Sequence, residues 1–124
     1  EEGYPVYICE ERGRVVGFAT YGTFRTNPAY KYTVEISVYV DKDCRNRGVG
    51  SALVGRIIEA ANQNGIKTIV AGINASNQAS IRLHEKMGFR YVGTVANAGY
   101  KFGTWLDLSF YQLMLDGPKN PTED

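Results

Sequence analysis

At 124 residues, 44% of them hydrophobic, the chain can enclose one hydrophobic core and hardly two. Its formal net charge of +1 offers no basic surplus for a nucleic-acid partner. No apolar run is long enough to span a bilayer and no stretch resembles a signal peptide, so a cytoplasmic location without a membrane partner is expected. Cys9 and Cys44 lack C-x-x-C spacing and read as free thiols; with a single histidine in the chain, no metal site is expected.

The aromatic and β-branched runs Tyr4 to Glu10 and Arg14 to Tyr21, joined by Glu11-Arg12-Gly13, predict a hairpin. Thr23 to Tyr30, with its Asn27-Pro28 step, reads as a loop. From Thr33 the pattern alternates: Val34, Ile36, Val38 and Val40 fall on one face of a strand, and Glu35, Ser37 and Tyr39 on the other. A helix is expected from Ser51 to Asn64, with Val49, Leu53, Ile57 and Ala61 as its apolar stripe and Gly65 as its stop. Lys67 to Ile73 then makes a strand parallel to the one before the helix. Asn77 can cap a second helix that Gly88 closes, and Phe89 to Ala96 and Asp107 to Leu115 complete the sheet as antiparallel strands. The chain ends in a polar tail over Pro118 to Asp124.

Between strand and helix lies Arg45-Asn46-Arg47-Gly48-Val49-Gly50. The first amides of a helix have no intrahelical partner and carry the positive end of its dipole, so they attract anions. Glycines let a phosphate approach the backbone, and Lys42, Arg45 and Arg47 add positive charge where a diphosphate would lie. A plain glycine-rich turn fits a lone Gly-x-Gly equally well. The Gly-Lys-Ser/Thr ending of a nucleotide P-loop is absent, and so are the third glycine and the later acidic residue of a dinucleotide fold.

Arg45-x-x-Gly48-x-Gly50 resembles the Q/R-x-x-G-x-G/A signature of the GNAT family of N-acetyltransferases, and the separate run Asn77 to Phe89 is similar to that family's N-x-x-A/S-x-x-L-Y-E-K-x-G-F helix. The resemblance implies an α/β, layered α+β fold: a mixed, mostly antiparallel twisted sheet flanked by helices, with a central parallel strand-helix-strand unit. It implies one acetyltransferase domain over residues 1–117, with the family's N-terminal strand and helices missing ahead of it, and the tail 118–124. Acetyl-CoA is the implied cosubstrate, held by the backbone of Val38, Tyr39 and Val40, by Arg45, Asn46, Arg47, Gly48, Val49, Gly50 and Ser51, and by Asn77.

A narrower likeness, in Tyr30 to Val40, Leu83-His84-Glu85 and Ala98 to Asp107, resembles phosphinothricin and methionine sulfoximine N-acetyltransferases. It implies transfer to the α-amino group of a small glutamate-like amino acid by an enzyme that is commonly a homodimer. An acceptor ammonium must lose a proton before it attacks a thioester, and Glu35 is the candidate base; a carboxylate paired with a nearby arginine is the alternative. His84 stands where the wider family has a tyrosine that protonates the departing thiolate, or else it is a helix residue satisfied by a backbone carbonyl. Arg25, Tyr30, Tyr100, Lys101 and Trp105 are candidate acceptor contacts, with core or interface as the alternative for the aromatic ones. Two other functions stay open: a GNAT enzyme acting on a protein N-terminus or a polyamine, and a CoA-binding module without catalysis.

Overall fold

The computed structural model describes residues 4–45 and 47–123. β1 (Val6–Glu11) and β2 (Arg14–Thr23) form the expected hairpin, closed by Arg12 and Gly13 at φ 52° and 79°, the paired positive values of a two-residue turn that follows strand twist. β3 (Thr33–Val40) pairs antiparallel with β2, and the crossover helix α1 (Val49–Gln63) leads to β4 (Thr68–Asn74), which lies parallel to β3. A second helix, α2 (Gln78–Lys86), precedes β5 (Arg90–Lys101) and β6 (Thr104–Met114). The six strands lie in the order β1-β2-β3-β4-β6-β5, so the sheet is mixed, with one parallel pair at its centre.

The stripe read from the sequence is the face that α1 buries. Val49, Leu53, Val54, Ile57, Ala60 and Ala61 pack on Ala19, Tyr21, Val34, Ile36, Ile69 and Ala71 of the sheet, and Ile81 of α2 and Phe89 close the same core. Ile57 and Ile69 are fully buried, and truncating either to alanine costs about 2 to 5 kcal/mol through lost transfer energy and the cavity left behind. Gly65, at φ 72°, ends α1 in the left-handed conformation that a side chain resists.

The late strands differ from the sequence reading. The sequence pattern predicts separate strands over Phe89 to Ala96 and Asp107 to Leu115, yet β5 runs on to Lys101 and turns directly into β6 at Thr104. Two local devices extend it. Asn97 sits at φ 53° inside a bulge between Val95 and Gly99, where its amide donates to the Asp107 carboxylate at 2.9 Å. Phe102 and Gly103, at φ 54° and 75°, then close a two-residue hairpin, a turn that the unusual phenylalanine disguises. The polar tail is fastened as well: the Thr122 amide donates to the Tyr32 hydroxyl at 3.0 Å.

Candidate active site

β3 and β4 pair only from Thr33 to Ile36 and from Thr68 to Ala71. β3 continues to Val40 against β2, and β4 continues to Asn74 against β6, so the two strands part beyond Ile36 and Ala71. The backbone edges that face this gap have no strand partner, which leaves them open to a ligand.

On the helix side the gap widens into a cavity of about 480 Å³. Val38, Tyr39 and Val40 form one wall, and Arg45, Gly48, Gly50 and Ser51 form the floor. Asn77, Ala79, Ser80, Arg82, Leu83 and Lys86 of α2 and its cap form the opposite wall. Gly48, at φ 81°, begins α1 without any side-chain cap, and the first bond of the helix runs from the Ala52 amide to the Gly48 carbonyl. The amides of residues 49 to 51 therefore sit at the positive end of the dipole with no intrahelical acceptor.

The two glycines are required for different reasons. A Cβ on Gly48 would meet nothing within 4 Å, so its conformation is the constraint. A Cβ on Gly50 would fall 2.9 Å from Leu83 Cδ2, so this glycine lets α1 and α2 approach across the cavity. Asn77 has the structural duty that its sequence allowed: its side chain accepts from the Ser80 amide at 3.1 Å and caps α2. It also lines the cavity. Asn46 lies outside the described residues.

Arg47 departs from the expectation that it faces a diphosphate. Its guanidinium pairs with Glu11 and reaches toward Cys44 Sγ, in a depression shared with Arg12 and Arg14 rather than in the main cavity. Arg82 and Lys86, which the loop motif does not include, supply further cations one turn apart on the wall of α2. Their i, i+4 spacing on the polar side of the motif helix was the available signal. With Arg45 they give the cavity three cations, and no carboxylate is among its described lining residues.

Glu35 lies on the other face of the sheet, as its alternation requires, because its neighbours Val34 and Ile36 are in the core. Its carboxylate reaches over Gly72, the first β4 residue beyond the last parallel pair: Oε2 is 3.2 Å from where a Cβ on Gly72 would stand. The carboxylate thus sits at the point where the strands fork. No ion pair to an arginine is present for it among the described residues.

His84 is not among the residues that line the cavity and is 3% exposed. Its Nδ1 is 2.8 Å from the Ser80 carbonyl oxygen, and its ring packs edge-on against Phe89. A carbonyl only accepts, so Nδ1 carries the hydrogen and Nε2 of the neutral ring can accept but not donate. Burial lowers the His84 pKa, against a smaller rise from the Ser80 hydrogen bond, so the neutral form prevails near pH 7.

The five acceptor candidates fall into two groups. Arg25 and Tyr30 line a cleft with Tyr4, Tyr21 and Lys31, where Arg25 bonds the Phe24 carbonyl and lies over its ring. Tyr100, Lys101 and Trp105 stand at the tip of the β5–β6 hairpin, with Tyr100 and Trp105 edge to face.

The family model for the acetyltransferase (GNAT) domain matches residues 1–110. The chain belongs to the GNAT acetyltransferases. The L-amino acid N-acyltransferase MnaT of Escherichia coli is 44% identical over 96% of this GNAT chain and 69% of its own length. The L-methionine sulfoximine/L-methionine sulfone acetyltransferase of Salmonella typhimurium is 46% identical over 92% of the chain and 67% of its own length. Among solved structures, a GNAT superfamily phosphinothricin acetyltransferase from Sinorhizobium meliloti in complex with acetyl-CoA superposes with a TM-score of 0.88 at 36% identity, covering 98% of this chain and 67% of that one. This GNAT chain therefore spans about two thirds of the length of these relatives. No helix among its described residues is long and apolar enough to cross a membrane.

Proposed function

We propose that the protein transfers the acetyl group of acetyl-CoA to the α-amino group of a small glutamate-like amino acid of the phosphinothricin, methionine sulfoximine or methionine sulfone type. The observation that carries this reading is the fork between β3 and β4, which joins a cationic, glycine-floored cavity on one face to the Glu35 carboxylate on the other. The residues present suit a polyanionic donor. The uncapped amides of α1 and the cations Arg45, Arg82 and Lys86 suit its phosphates, and the unpaired edge of residues 37–40 suits an extended amide-bearing arm.

When bound, acetyl-CoA supplies an activated acyl carbon, and the protein has to present an unprotonated amine to it. Glu35, at the fork, takes the ammonium proton directly or through one water. The free amides along residues 37–40 donate to the carbonyl oxygen as negative charge develops there. His84, neutral with its hydrogen committed to Ser80, holds the last turn of α2 against Phe89 rather than serving as the acid for the thiolate. This favours the second of the two roles that the sequence left open for it.

The reading extends to a cytoplasmic homodimer in which the hairpin tip meets the second copy. Its support is the exposure of that tip, where Phe102 is 91% and Trp105 62% exposed. Arg25 and Tyr30 then act as acceptor contacts from their own cleft, and Tyr100, Lys101 and Trp105 as acceptor contacts that serve the interface as well.

The test is a panel of acceptors assayed by release of free CoA thiol with the full-length protein. Methionine sulfone, methionine sulfoximine and phosphinothricin are expected to exceed methionine and glutamate in kcat/KM, because a buried donor left unpaired penalises a substrate lacking the polar end group. Acetylation of peptides or polyamines in preference to all three would refute the amino-acid assignment. Tight CoA binding with no accelerated acceptor would refute catalysis.

A further inference from the structure

Gly72 is a glycine with no conformational reason to be one. Its φ is not in the left-handed region, so its backbone is open to any residue. It lies in the interior of β4, where a glycine weakens a strand. What distinguishes the position is the occupant of its missing side chain's space. A Cβ there would stand 3.2 Å from Glu35 Oε2, 3.4 Å from Phe110 Cε1 and 3.6 Å from Leu108 Cδ1.

We propose that Gly72 is a positioning residue for Glu35, leaving at the fork of β3 and β4 the seat in which the carboxylate lies. The inference rests on Glu35 being the base. Phe110 and Leu108 wall the seat and offer no hydrogen-bond donor from their side chains, and no side-chain hydrogen bond or ion pair holds Glu35 among the described residues. Shape therefore sets the direction of the carboxylate. A contact at 3.2 Å is tighter than an ordinary one: a methyl group at residue 72 moves the carboxylate by a few tenths of an ångström or turns it to another rotamer, in either case out of the seat it now occupies.

The experiment is a double-mutant cycle in the full-length protein with Gly72→Ala, Glu35→Gln and the pair, each assayed for kcat across pH, for acetyl-CoA affinity by calorimetry and for Tm. Gly22→Ala is the control: Gly22 pairs with Glu35 from β2, and a Cβ there would meet nothing within 4 Å. Gly72→Ala is expected to keep its Tm and its acetyl-CoA affinity, to lose about tenfold in kcat, and to shift the pH profile, since misplacing a reacting group by about 1 Å can cost about a hundredfold. The loss should vanish in the Glu35→Gln background, and Gly22→Ala should behave as wild type. Wild-type kcat and pH profile in Gly72→Ala, or an equal loss with and without the Glu35 carboxylate, would overturn the proposal. Full activity in Glu35→Gln would overturn the base assignment first, and that single variant separates the two failures.

Discussion

Nδ1 of His84 donates to the Ser80 carbonyl oxygen across one turn of α2, at 2.8 Å, from a ring that is almost wholly buried. Burial lowers its pKa below the ordinary value of 6.5, so the unfolded chain binds this proton at higher pH than the folded one. Stability contributed by the neutral ring is present above about pH 6.5 and is lost as pH falls through the lowered folded value. Thermal melts should show Tm declining on acidification below that point, with the decline flattened in His84→Gln. A His84→Gln variant whose Tm followed the wild-type slope would assign the acid sensitivity to other groups.

Removing the carboxylate charge at the fork should separate chemistry from donor binding. Glu35→Gln keeps the shape of the side chain, so acetyl-CoA affinity by calorimetry should be nearly unchanged while kcat at neutral pH falls by about a hundredfold or more. A wild-type rate and pH profile would leave a water chain as the proton route.

The glycines of the loop should fail in different ways. Gly48→Asp brings a carboxylate to the open head of α1, where it repels a diphosphate, and the conformational strain adds only about 1 to 2 kcal/mol. Binding of acetyl-CoA should be lost from a protein that still melts cooperatively. Gly50→Ala instead presses on Leu83 and should lower both Tm and affinity, with both recovered in part by adding Leu83→Ala. Failure of the second substitution to restore either property would remove the α1–α2 contact as the cause.

Each cavity cation should add separately to the affinity for acetyl-CoA. Arg45→Ala, Arg82→Ala and Lys86→Ala should each raise Kd roughly tenfold, the scale of one charge-assisted hydrogen bond, and each should weaken the dependence of Kd on salt. Arg47→Ala, which breaks a pair with Glu11 outside the cavity, should change Kd much less. Equal losses at Arg47 and Arg82 would contradict this assignment of the cations.

Local signals carried most of the fold. The stripe from Val49 to Ala61, the alternation from Val34 to Val40, and the stops at Gly65 and Gly88 are periodic or conformational, and each describes its own segment. Asn77 was legible for the same reason, since a cap is a property of a few consecutive residues. What escaped depended on partners distant in sequence. The bulge at Asn97 needs the Asp107 carboxylate, the diversion of Arg47 needs Glu11, and the seat of Glu35 needs Gly72 and Phe110 from two other strands. The pattern around Glu35 gave its face but not what lay there. The place of Arg82 and Lys86 on the cavity wall likewise depends on the glycine loop that folds opposite them.

The four paired rungs from Thr33 to Ile36 also join two leaves, the β1-β2-β3 meander and the β5-β6 hairpin with β4. The meander is built from strands adjacent in sequence, whereas the parallel seam must wait for the whole of α1 to close the loop from Val40 to Thr68. With four rungs against seven on the outer side of each of its strands, the seam is the first edge to loosen. In native-state hydrogen exchange, amides of Thr33–Ile36 that bond across to β4 should open at lower free energy than those of the same strand that bond to β2, so that a single strand has a firm edge and a soft one.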